Sequence, residues 1–166
     1  MEAGAEWGVT PYGTEAMHVL RAEKGYVMIG EETDGTVIPQ DLGLDWAISK
    51  KKPDYLGKRA QMRAHMAGGH RWKLVGLQSL DGSVLPEGAY LVRHGVNANG
   101  QQLTEGRVTS TYFSPTFGRG IAMALVESGP ERMGETVQVS RKGGEPVAAR
   151  IVDPVLYDKA GERLNG

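Results

Sequence analysis

The sequence predicts an α+β protein: a helical first part followed by a six-stranded antiparallel β-barrel-like domain. Three observations lead there. Glycine stands at 24 of 166 residues, against an average of about 7%, so tight turns are frequent. Residues 71–157 hold six short strand-like runs, each bounded by Gly, Pro, Asn or Asp, which is the pattern of a small barrel or sandwich. Residues 1–70 carry helical spacing broken by loops.

The first helix is expected from about Thr14 to Lys24. Thr14 is a suitable N-cap, Glu15 suits the positive first turn, and Gly25 is a natural stop. Ala16, Met17 and Leu20 form an apolar stripe, and His18 and Arg21 share another face. Tyr26–Ile29 reads as a short strand and Gly30–Gln40 as a loop. Leu56–Met66 reads as a second helix ended by Gly68-Gly69. The strands are expected at Trp72–Leu80, Ala89–Val92, Gly106–Phe113, Gly120–Val126, Glu135–Ser140 and Pro146–Val152. Asp81-Gly82, Asn99-Gly100 and Lys142-Gly143-Gly144 supply turns between them. The division is residues 1–70, 71–157 and a polar tail, 158–166, expected to fray.

Composition excludes several chemistries. With no cysteine, there is no disulfide, Cys-ligated zinc, iron–sulfur cluster or Cys nucleophile, and the chain suits a reducing cytoplasm. A net charge of −1 does not mark a general polyanion binder. No apolar run is long enough for a transmembrane helix, and Met1–Thr10 lacks the charged and apolar regions of a signal peptide.

His18, His65, His70 and His94 show no metal-ligand spacing, so no metal site is expected. No GxGxxG or P-loop is present, so the segment holds no dinucleotide in a Rossmann unit. Ser110 and Ser140 lack a nucleophile elbow and read as surface strand residues. Residues 50–73 hold eight Lys/Arg against one acid, Asp54. That run is a solvated face, or the contact surface of a stand-alone RNA- or anion-binding barrel module. Arg21 either forks onto a ligand carboxylate or polar heterocycle or pairs internally with Glu23 or Asp34.

Six stretches, in order, resemble the glycine cleavage T-protein (aminomethyltransferase) family. His18–Gly30 (HVLRAEKGYVMIG) is similar to its LRLEAG…YG helix and turn. Gly30–Trp46, with Asp34, Thr36, Pro39 and Leu42-Gly43-Leu44-Asp45-Trp46, resembles its D-x-T-P…GLGW stretch. Lys52–Gly57 resembles K-x-DFIG, and Leu74–Leu77 the start of its barrel. Gly106–Gly118 (GRVTSTYFSPTFG) resembles G-x-VTSG-x-x-SPTLG. Ile121–Val126 and Ile151–Tyr157 resemble the strands that follow.

The resemblance implies that residues 1–70 are the remnant of a split folate-binding domain plus a connector. It implies tetrahydrofolate as ligand, with Arg21 and Tyr157 as folate-binding residues and no catalytic residue in this segment. The wording HVLRAEKGY and SKKKPDYLGKR is similar to the sarcosine-oxidising branch. There, a flavin-bearing partner subunit oxidises sarcosine to an imine, tetrahydrofolate takes the one-carbon unit, and oxygen returns as hydrogen peroxide. Flavins and NAD would be bound outside this segment. Met1 would match an internal position of the parent chain, with the family's folate-binding aspartate and GYTGE-type glutamate upstream. Thr111 stands where the family has the Gly of VTSG, and the expected cost is a left-handed turn.

Overall fold

The computed structural model describes residues 2–165. A short 3-10 turn, Glu2–Trp7, precedes helix α1, Thr14–Glu23; Pro39–Leu42 and Asp45–Ala47 are further 3-10 turns, and α2 (Lys58–Gln61) and α3 (Ala64–Ala67) are single helical turns. The strands are β1 (Trp72–Ser79), β2 (Tyr90–Val96), β3 (Gln102–Ser114), β4 (Arg119–Glu127), β5 (Thr136–Val139) and β6 (Val147–Val152), and α4 is Glu162–Asn165. All strand pairs are antiparallel, and the order β1-β4-β3-β2-β5-β6 closes through the β1–β6 pair. The expected α+β fold with a six-stranded barrel is the observed one.

Side-chain alternation splits the apolar residues into two clusters. Val75, Leu77, Leu91, Val108, Ala122, Ala124, Val126, Val139 and Ile151 fill the barrel interior. Leu74, Ile121, Met123 and Leu125 point outward and pack with Ala22, Val37, Leu42 and Leu156. β4 is therefore covered on both faces, which explains its unbroken apolar run Ile121–Val126. The N-terminal part is the cover on its outer face.

Helix α1 sits inside-out relative to its apolar stripe. Its buried residues are Arg21, Ala22 and Glu23, whereas Met17 and Leu20 are 39% and 51% exposed. Its N-cap is Gly13, not Thr14. Gly25 ends it at φ +68°, and a Cβ there would stand 2.8 Å from the Pro154 carbonyl oxygen. Only glycine meets both demands. Just beside it, the Leu156 and Tyr157 amides donate to the Glu23 carbonyl (3.0 and 2.8 Å), fastening the segment after β6 to the helix end.

Two expected elements differ. Tyr26–Ile29 is a loop whose only ladder contact is the single Ile29–Thr33 bridge. The Met28 amide donates to the Glu32 carboxylate (2.8 Å), a side chain standing in for a neighbouring strand. The expected helix Leu56–Met66 is two four-residue turns broken at Arg63 (ψ 142°), with no buried residue in either. Without an apolar face to bury, propensity alone does not sustain a helix of that length. The tail is tied down rather than frayed at its start: Lys24 Nζ donates to the Asp158 carbonyl oxygen at 2.7 Å.

Candidate functional site

Among the described residues, six of the nine buried polar ones gather where α1 meets β3: Arg21, Glu23, Glu32, Thr109, Ser110 and Ser114. Arg21 is 8% exposed and Glu32 fully buried. Arg21 Nη1 donates to Glu32 Oε2 (2.7 Å) and to the Tyr26 carbonyl (3.2 Å); Nη2 donates to Ser110 Oγ (2.6 Å) and Tyr112 Oη (3.2 Å). The guanidinium carbon also lies 5.7 Å from the centre of the Tyr112 ring, within cation–π range. Arg21 thus forms an internal pair, but with Glu32 rather than with Glu23 or Asp34.

A β-bulge builds the other half of the cluster. Val108 opposes Ala124 and Ser110 opposes Met123, leaving Thr109 as the extra residue of β3. The bulge lets two consecutive hydroxyls serve one carboxylate. Thr109 Oγ1 donates to Glu32 Oε1 at 3.0 Å, and Ser110 Oγ makes a short hydrogen bond to the same oxygen. Ser110 is therefore buried, not a surface strand residue. With the Met28 amide and Arg21, Glu32 accepts four hydrogen bonds, enough to offset the cost of burying its charge.

Glu23, two residues beyond Arg21 on α1, is held in the same way. Ser114 Oγ donates to its Oε1 (2.5 Å) and Thr116 Oγ1 to its Oε2 (3.2 Å). The Ser-Pro-Thr turn between β3 and β4 is thereby held against α1. Thr111 is an ordinary strand residue opposite Ala122 and is not among the residues of positive φ, in keeping with the expected loss of a left-handed turn at this position. Glu23, Glu32, Thr109 and Ser114 were not legible as site residues; the signal was a carboxylate or hydroxyl within motifs whose partners lie about 80–90 positions away.

Two polar atoms of the cluster stay unpartnered. Arg21 Nε and His18 Nδ1 are buried without a hydrogen bond, and His18 lies 6.2 Å from Tyr112, ring centre to ring centre. Since the four terminal N–H groups of Arg21 are engaged, Nε–H is its one donor left for a ligand. Tyr157 is half-buried beside the same helix end, through its amide, with Arg163 at 6.0 Å over its ring. The described residues contain no group of three or more His, Cys, Asp or Glu able to hold a metal. No described helix is long and apolar enough to cross a membrane.

The basic 50–73 stretch divides. Lys50, Lys51 and Lys52 are exposed, whereas Arg71 turns inward, its Nε 2.8 Å from Asp41 Oδ1. The Asp41 carboxylate raises the Arg71 pKa above its ordinary value.

A closed six-stranded barrel with a helix held against it by buried carboxylates defines the barrel-and-cover portion of an aminomethyltransferase-type protein. Residues 73–158 match the glycine cleavage T-protein C-terminal barrel domain, and residues 1–52 match the GCVT N-terminal domain. The chain belongs to the glycine cleavage T-protein family. It is 45% identical over 166 residues to sarcosine oxidase subunit alpha of Corynebacterium sp. (strain P-1), covering 99% of this chain and 17% of that protein. The corresponding subunit of Rhizobium meliloti (strain 1021) is 41% identical over 170 residues, again covering 99% and 17%. An aminomethyltransferase of Caldanaerobacter subterraneus subsp. tengcongensis is 33% identical over 159 residues, 96% of this chain and 40% of the other. The crystal structure of glycine cleavage system aminomethyltransferase T from Bartonella henselae superposes with a TM-score of 0.76 at 25% identity, covering 94% of this chain and 42% of that one. The chain thus spans about a sixth of the sarcosine oxidase subunits it matches. The family models match residues 1–52 and 73–158 and these relatives cover 96–99% of the chain; the comparisons give no support to a stand-alone RNA- or anion-binding module on residues 50–73.

Proposed function

We propose that the chain forms one wall of a tetrahydrofolate site in an alpha subunit of sarcosine-oxidase type. Residues 1–70 act there as the end of the folate-binding domain and its connector, residues 71–157 as the barrel behind it, and residues 158–166 as a tail. The observation that carries this is the unpartnered Arg21 Nε–H in the buried cluster made by the family motifs. A buried donor without an acceptor costs free energy, and folate offers acceptors on its pterin and carboxylates. The mode differs from a bidentate fork, because Glu32 holds the fork. Tyr157 contributes a ring at the same helix end.

The whole assembly would oxidise sarcosine on a flavin-bearing partner subunit, with NAD bound elsewhere in the larger subunit. Flavin supplies the hydride acceptor, which no side chain here provides. Tetrahydrofolate would take the one-carbon unit to give 5,10-methylenetetrahydrofolate, with glycine and hydrogen peroxide as the other products. The part of this chain is to hold the folate acceptor groups and exclude water around them.

The test is Arg21→Lys in the assembled enzyme. Lysine retains the charge opposite Glu32 but has no Nε–H. Methylenetetrahydrofolate yield should fall while hydrogen peroxide formation is kept. Equal loss of both would overturn the role given to Arg21.

A further inference from the structure

A concavity lies on the outer face of the barrel. Tyr90, Arg107 and Leu125 stand in one register row across β2, β3 and β4 and form its floor. The loop Asp34–Val37 and the segment His65–Trp72 form its walls, and it encloses about 590 Å³. That volume is ordinary for a small-molecule site. Neither Arg21 nor Tyr157 lines it.

The charges in the groove are arranged unequally. Asp41 is 2% exposed and fully engaged by Arg71, which also donates to the Thr36 and His65 carbonyls. Arg107 is different. It makes one hydrogen bond, from Nη2 to Asp34 Oδ2 at 3.0 Å, and its side chain is 34% exposed. Its Nε and Nη1 donors have no partner among the described residues. The Asp34 carboxylate is already served by the Thr36 amide and hydroxyl (2.7 and 2.6 Å), so it does not depend on Arg107 alone. The Gly69 and His70 amides donate to no backbone carbonyl among the described residues. Open donors of Arg107 and of two backbone amides thus belong to residues that line this groove together with Tyr90 and Trp72.

We propose that this groove is a second ligand site, binding a small molecule that carries a carboxylate or phosphate on a flat apolar body. The oxyanion meets the open donors of Arg107, and the flat body lies against Tyr90 and Trp72. Arginine suits this task because its planar fork matches either oxyanion. The inference stands apart from the folate reading.

The test is calorimetric titration of the full chain with benzoate and with phenyl phosphate, using benzyl alcohol and inorganic phosphate as controls. Either aromatic anion should bind more tightly than both controls, and the tighter of the two names the headgroup. Arg107→Gln should weaken that binding at least tenfold. Asp34→Asn, which frees Arg107, should tighten it. Tyr90→Ala should weaken the aromatic anion and leave inorganic phosphate unchanged. Tyr90 and Arg107 are both surface-accessible, and equal melting curves would confirm that each variant folds. No binding of either aromatic anion at millimolar concentration, equal binding of benzyl alcohol, or unchanged affinity in Arg107→Gln would each overturn the site.

Discussion

Arg21 and Glu32, eleven positions apart, meet at 2.7 Å with the carboxylate wholly out of solvent. The pair joins the helix to the loop that follows it, and both then reach the bulge of β3. Removing one partner of such a pair leaves an uncompensated charge in the interior. Glu32→Gln should therefore lower unfolding stability by about 3–5 kcal/mol, read as a shift in the urea midpoint.

Ser110 both donates to Glu32 and accepts from Arg21 at 2.6 Å. Ser110→Ala removes the bridging hydroxyl and strands a donor, Arg21 Nη2–H, on one side and an acceptor, Glu32 Oε1, on the other. The expected cost is about 1–3 kcal/mol. Thr111→Ala, one residue on, loses only a 3.4 Å contact to the Ile121 carbonyl and should cost less by the same urea titration.

Gly120 is held by backbone. A Cβ on it would lie 2.2 Å from the Ser83 carbonyl oxygen, where no flexible side chain could give way. Gly120→Ala should destabilise by more than about 3 kcal/mol. Gly144→Ala, whose nearest neighbour would be the Arg141 stem at 3.5 Å, should stay within about 0.5 kcal/mol. Thermal melts of the two variants side by side make the comparison.

Acid should act through Asp34. Hydrogen bonds from Thr36, with Arg107 adding to them, hold its carboxyl below the ordinary value. A depressed folded-state pKa means the unfolded chain binds the proton first as pH falls. The contribution is thus fully present above about pH 4 and is lost as pH drops through the lower, folded value. Melting temperature against pH should fall more steeply below that point in the native chain than in Asp34→Asn.

Much of the barrel was legible in the sequence. Gly, Asn-Gly and Asp-Gly turns delimit the runs, and each of the six expected strands overlaps an observed one by most of its length. Helix α1 was legible in extent but not in orientation. Periodicity marks Met17 and Leu20 as the face to bury, yet Arg21 and Glu23 go inward because Ser110, Ser114 and Thr116 wait for them on β3 and the turn after it. A helix pattern describes its own residues and says nothing of hydroxyls about 90 positions away. Ser110 escaped for the same reason: a strand serine is buried or exposed according to a carboxylate in another segment. The bulge at Thr109 leaves no mark in composition, since Val-Thr-Ser-Thr fits a regular strand as well.

The pairing of β1 with β6 has a consequence for how this protein meets others. A ring of strands has no first or last member, so no whole strand of the barrel stands at an open edge for a foreign chain to zip along. A neighbour is thereby denied edge-to-edge pairing with a whole strand of this barrel.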